Sequence, residues 1–239
     1  MLRLIESEII KLKRKKSAVF MLSAALIMPL ISAAYFYRDT NINAERFYKS
    51  ACLSYTPWII LPIVLSVFSS MIMNEENQNG IRTQIRIVPV KNTEYFIAKC
   101  IVVMLYSLNF MLISYAATIG VGSAFGYLGK DAGVLFYTAK KCLEIGIIIP
   151  FAIIPVCSVA FTHTGYVFPL CFAIAYTFLG FILMTVTMYL HPLSCATAII
   201  VRDVAGVVYA HTFDIGFAVL GIALWGLVFS IYACTKRGG

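Results

Sequence analysis

Charge is scarce in this 239-residue chain. Only 13% of its residues are charged, against roughly 25% in soluble domains, and 61% are hydrophobic. With a mean hydropathy of +0.87, this balance excludes a water-soluble globular domain and a disordered chain. Paired cysteines are missing too. Cys52, Cys100, Cys142, Cys157, Cys171, Cys195 and Cys234 are dispersed singly with no C-x-x-C spacing, which argues against a disulfide scaffold or a thiolate metal site. They read as small core hydrophobes. His163, His191 and His211 stand far apart with no Cys or carboxylate at ligand spacing, and no H-E-x-x-H motif occurs. The nearest approach to a phosphate-binding loop, AFGYLGKD at Ala124–Asp131, lacks the first glycine and has Asp131 where Ser or Thr would hold magnesium. Ionisable residues inside apolar runs, the mark of proton relays, are limited to Glu144 and Asp214. Both lie near run ends, where hydration is expected.

What the sequence does have is hydrophobic length. A bilayer core of roughly 30 Å needs about 20 mainly apolar helical residues, and six stretches qualify: Ser17–Tyr37, Ala51–Met73, Phe96–Val121, Cys142–Phe161, Tyr166–Tyr189 and Ile215–Thr235. The expected fold is an all-α polytopic membrane protein with six transmembrane helices. The first stretch is too long, and its basic flank too extended, for a cleavable signal. Pro29, Pro57, Pro62, Pro150 and Pro155 fall inside these stretches and are expected to bend them.

The net charge of +8 follows topology rather than a nucleic-acid partner. With the N-terminus inside, twelve Lys and Arg lie on the cytoplasmic side and seven outside, so both termini are expected in the cytoplasm. Residues 1–16, MLRLIESEIIKLKRKK, place Leu2, Ile5, Ile9 and Leu12 at three- and four-residue steps. This predicts an amphipathic helix in the headgroup plane, its bases toward anionic lipid. At the other face, residues 190–213 are half apolar but too short to cross twice, and read as half-inserted external helices.

The cytoplasmic loop 74–95 carries the most information. Glu75 and Glu76 precede an Asn-Gly break at Gly80. Ile81, Ile85 and Val88 then share one helical face, Arg82 and Arg86 form an i,i+4 pair on another, and Pro89 stops the segment. That pattern predicts a two-turn amphipathic helix lying on the membrane surface.

Here the chain resembles the type-2 ABC exporter permeases. Their coupling helix shows Glu, Gly four residues later, Pro nine after that and Lys ten further on. Glu76, Gly80, Pro89 and Lys99 reproduce all three intervals. The family usually has Thr after the glycine and Ser-Arg after Pro-Val; here these are Ile81 and Lys91-Asn92. Within the family, the opening LIESEIIKLKRKKS resembles the permeases of lantibiotic-immunity and bacitracin-resistance transporters.

The resemblance implies one permease domain over residues 1–239, in the plasma membrane and without catalytic residues. ABC ATPase subunits would dock on Glu75, Glu76, Gly80, Ile81, Arg82, Ile85, Arg86, Pro89 and Lys99. No cofactor would bind this chain directly; ATP and magnesium would sit on the partner. A second permease, identical or paralogous, would complete the path, and the cargo would be a peptide antibiotic. Export of another hydrophobic substrate, or a non-transporting sensor or scaffold, are the alternatives.

Overall fold

A computed structural model describes residues 2–13, 15–37, 43–78, 92–127, 132–163, 165–204 and 213–236; these contain helices and no strand. The chain is a multi-pass membrane protein. A short N-terminal helix, α1 (Leu2–Lys13), precedes five helices long and apolar enough to cross a membrane: α2 (Lys16–Phe36), α3 (Ala44–Asn74), α4 (Asn92–Ala124), α7 (Val167–Val186) and α9 (Ile215–Lys236). A bent pair, α5 (Ala132–Ala152) and α6 (Ile154–Thr162), is together long and apolar enough to be a sixth candidate span, and a short apolar helix, α8 (Pro192–Val201), lies between α7 and α9.

The prolines explain where the helices depart from regularity. A proline removes one N–H and its ring presses on the carbonyl four residues back. In α2 a tight turn at Ser23–Leu26 immediately precedes Pro29. In α3 two wide, π-like turns, Lys49–Leu53 and Thr56–Ile60, flank Ser54–Tyr55, and Ile60 N donates to Tyr55 O at 3.2 Å. Pro150 and Pro155 bracket the 43° bend between α5 and α6. There the Ala152 carbonyl accepts from the Tyr176 hydroxyl of α7 at 2.5 Å, so a neighbouring helix satisfies backbone at the break.

The core runs through the bundle. Phe68 stacks on Tyr106 with centroids 3.7 Å apart, and the Tyr106 hydroxyl donates to Ala18 O at 2.8 Å, joining the first three spans. Phe110, Leu65, Ile145, Ile149 and Phe161 fill the centre. Every residue of α8 is buried, packed against α5, α7 and α9. By contrast α9 buries only Ala218, Gly226 and Ala233, so most of its surface is left for lipid.

Several expected boundaries shift, and the third span runs from Asn92 to Ala124 rather than from Phe96 to Val121. The second span begins at Ala44 rather than Ala51. The fourth begins at Ala132 rather than Cys142, so part of the stretch 122–141 expected as an external loop is helical. The fifth ends at Val186 rather than Tyr189. A helix does not stop where its apolar run stops; without a breaker in VLFYTAKK the backbone continues outward. The expected stripe of α1 is also rotated. Ile5 and Leu12 pack on the core, but Ile9 is 44% exposed and Glu8 turns inward in its place.

Candidate functional site

Two clusters of charge stand at opposite ends of the bundle, each built on a lysine that the protein buries. The first gathers around Lys99, in the second turn of α4. Its side chain is 1% exposed, and Nζ donates to Ile72 O at 2.7 Å, near the end of α3. It lies 3.7 Å from Glu8 Oε2 of α1 and 4.9 Å from the centroid of the Tyr95 ring. Glu8 in turn pairs with Lys11 at 2.6 Å. A lysine takes such a position only because an anion, a carbonyl and a ring face surround its ammonium. Burial pushes the Glu8 carboxyl up, but the Lys99, Lys11 and Lys15 charges outweigh it and hold the carboxyl below its usual value. One ammonium therefore ties the N-terminal helix, the last turns of the second span and the first turns of the third.

Lys99 is the one expected coupling residue whose side chain is described. Glu75 and Glu76 continue the helix Leu61–Gln78, with side chains outside the described residues. Gly80, Ile81, Arg82, Ile85, Arg86 and Pro89 lie outside the described residues altogether. The helices on either side of that stretch end at Gln78, six residues after Ile72, and begin at Asn92, seven residues before Lys99.

The second cluster holds α8. Lys141, 2% exposed, reaches Glu144 Oε2 at 3.0 Å, Asp203 Oδ2 at 3.3 Å and Ile200 O at 2.8 Å. Arg202 pairs with Glu144 and donates to Ile199 O at 2.8 Å. Two cations thus meet the carbonyls left open at the C-terminus of α8, where the helix dipole favours them. This corrects the expectation for Glu144, which is bound in an ion network and not simply hydrated. A signal for Lys141 existed. Thr138, Lys141, Cys142, Ile145 and Ile149 follow the buried stripe of α5, and Lys140 falls off it.

A family model described as ABC-2 family transporter protein matches residues 4–180. The chain belongs to that family. No curated protein and no solved structure matches it. The match runs from α1 through most of α7, so it includes the Glu8–Lys99 cluster. Membership makes the chain an ABC-2 type permease subunit, a transport component rather than an enzyme.

The permease has further buried polar groups near α8. His191 begins that helix, its Nδ1 accepting from Leu193 N at 3.2 Å, and its ring lies 4.2 Å from that of Tyr176. Accepting at Nδ1 places the neutral ring's proton on Nε2. Burial lowers the His191 pKa from 6.5 to about 4. Gly180 makes this packing possible, because a Cβ there would stand 2.9 Å from both His191 Nδ1 and Leu193 Cβ. All seven cysteines are free thiols, and among the described residues no group of three or more His, Cys, Asp or Glu is placed to hold a metal ion.

Proposed function

We propose that this permease is the membrane subunit of an ATP-driven exporter that removes a lantibiotic or similar peptide antibiotic from the membrane, conferring immunity or resistance. Separate ATPase subunits carry the ATP and magnesium. They dock on the cytoplasmic segment between α3 and α4, where Glu75, Glu76, Arg82 and Arg86 make polar contacts with them. Both termini are cytoplasmic, and a second permease, identical or paralogous, completes the path.

The observation that carries this reading is the Lys99 cluster. The helices on both sides of the docking segment are joined by one buried ammonium, which also holds α1 through Glu8. A push on the segment reaches three elements together instead of being absorbed by a loose loop. That is the arrangement a two-state membrane interface needs if hydrolysis elsewhere is to drive it. The peptide-antibiotic assignment is supported by the LIESEIIKLKRKKS opening.

The test is co-purification of the ATPase with permease carrying Gly80→Pro or Arg82→Glu/Arg86→Glu, followed by ATPase assays with a panel of cationic peptide antibiotics. Loss of association and of drug-stimulated hydrolysis is expected. Unchanged association and unchanged ATP-dependent resistance would remove the segment as the coupling element. Stimulation by another class of hydrophobic compound, with none by the peptides, would overturn the substrate assignment.

A further inference from the structure

A trench opens on the bundle's lipid side, between α9 and the bent span. At the 43° bend of α5 and α6, the two walls enclose a cavity of about 590 Å³. The α9 wall is Val219, Ile222, Ala223, Gly226, Leu227 and Ser230. These positions recur at three- and four-residue steps, so they form one stripe along the helix. The middle of that stripe is small, which sinks the floor at Ala223, Gly226 and Ser230. Ile147, Phe151 and Ile154 make the opposite wall, and Ile199 of α8 closes one end. Ser230 supplies the only polar side chain in the lining.

Length and polarity define the occupant. From Val219 to Ser230 the stripe runs about 16 Å at 1.5 Å per residue, close to half of the roughly 30 Å hydrocarbon core. That is the depth of one leaflet. The Ile147–Ile199 end stands one helical turn from Glu144 and Arg202, hence beside the Lys141–Glu144–Arg202–Asp203 network. This network carries two positive and two negative charges at the level where a headgroup would lie, and Arg202 and Asp203 are 27% and 55% exposed. At the deep end, Phe151, Ile154 and Ser230 also line a second cavity of about 340 Å³ that reaches α4, leaving room for a chain end. A narrow apolar slot of leaflet depth, beginning at a balanced set of charges, is complementary to a linear amphiphile.

We propose that this trench binds one acyl chain of a zwitterionic phospholipid, with the headgroup resting at the Lys141–Arg202 network. The chain completes the packing of α9, which buries only Ala218, Gly226 and Ala233 in the bundle. Another face of α9, with Leu220, Leu224, Val228 and Ile231 exposed, offers bulky side chains and meets ordinary fluid lipid. The proposal is independent of the export reading, because it concerns a resident lipid and not cargo.

The experiment uses the full chain in vesicles of phosphatidylethanolamine and phosphatidylglycerol, doped with a phosphatidylcholine carrying a diazirine at mid-chain. After photolysis, label is expected on Phe151, Ala223 and Ser230, saturating with probe and displaced by unlabelled phosphatidylcholine. A Cβ at Gly226 would meet Ile154 Cδ1 at 3.5 Å, an ordinary contact. Gly226→Ala should therefore keep the labelling, and Gly226→Phe should reduce it several-fold by filling the slot. Should Gly226→Phe fail to fold, Ala223→Leu/Ser230→Leu narrows the same slot more gently. Unsaturable label spread equally over Leu220, Leu224 and Val228 would overturn the proposal. So would disulfide trapping of Ala223→Cys between two copies, which would make a second chain the occupant.

Discussion

Replacing Lys99 by methionine keeps much of the side chain's length and apolar stem but removes its charge. The variant loses the 2.7 Å bond to Ile72 O and the 3.7 Å approach to Glu8. Two unit charges about 4 Å apart attract by about 4 kcal/mol at an effective dielectric near 20, and desolvation returns part of that. A hydrogen bond from a charged donor adds about 1.5–3 kcal/mol. Breaking a buried pair from one side costs about 3–5 kcal/mol. Glu8 keeps Lys11 at 2.6 Å as a second partner, so Lys99→Met should cost about 3 kcal/mol, the low end.

The cycle with Glu8→Leu is the sharper measurement. With both charges replaced by apolar groups no ion is stranded, and the double variant should be more stable than Lys99→Met alone. The expected coupling is about 1.5–3 kcal/mol, beyond the ~0.5 kcal/mol scatter of independent sites. The assay is thermal unfolding in detergent with protease cleavage within residues 1–16 as a local readout, since freeing α1 should raise its cleavage before the bundle unfolds. The carboxyl of Glu8 is held below its unperturbed value of 4.5. Its contribution is therefore complete above that pH and falls away as pH drops through the lower, folded value; Glu8→Gln should lack this acid-sensitive component. Additive single effects, or α1 cleavage unchanged in Lys99→Met, would refute the account of the cluster.

Other perturbations test the opposite end. Because burial lowers the His191 pKa to about 4, the folded state binds fewer protons than the unfolded one below pH 6.5, and stability should decline as pH falls from 6.5 toward 4, by at most ~3 kcal/mol. His191→Gln should flatten that decline in melts recorded between those limits. Lys141→Met leaves Glu144 and Asp203 with Arg202 as their cation and should cost about 3 kcal/mol, the low end for breaking a buried pair, with Lys141→Met/Glu144→Leu recovering part of it on calorimetry. Gly180→Ala puts a Cβ 2.9 Å from His191 and Leu193; the overpacking should cost about 1–3 kcal/mol in the same assay.

The crossings were legible because hydrocarbon selects for apolar length, a property any window along the chain reports. Five matched helices and one bent pair follow from that, and Pro150 and Pro155 marked the bend in advance. Helix ends were less legible, as α5 shows by extending outward to Ala132 through residues of ordinary polarity. Pairings of charge were not legible. Lys141 meets Asp203 across 62 positions, and Lys99 meets Glu8 across 91; nothing local distinguishes these lysines from a topology signal. Only after the buried stripe of α5 is drawn does Lys141 separate from Lys140. Of the interval Glu76, Gly80, Pro89 and Lys99, only the Lys99 side chain is described, and Gly80 and Pro89 lie outside the described residues.

The two clusters share a design that bears on how such a bundle moves. Each uses a buried ammonium to grip a backbone carbonyl near a helix end: Lys99 at Ile72, Lys141 at Ile200. A side-chain partner can swing with its rotamer, but a helix carbonyl moves only with its helix, so each grip welds whole elements. At the breaks the arrangement differs. Tyr176 donates one hydroxyl bond to Ala152 beside the α5–α6 bend, and at the wide turns of α3, Lys49–Leu53 and Thr56–Ile60, Lys49 pairs with Glu45 of its own helix at the partly exposed surface and not in the core. Stiffness is thus placed at the two ends and compliance at the proline-marked breaks between them. On the proposed coupling, a displacement entering at the Lys99 end would reach α1, α3 and α4 together before it met those breaks. There the span can change its bend without rupturing a buried ion pair, which costs several-fold more than one neutral hydrogen bond.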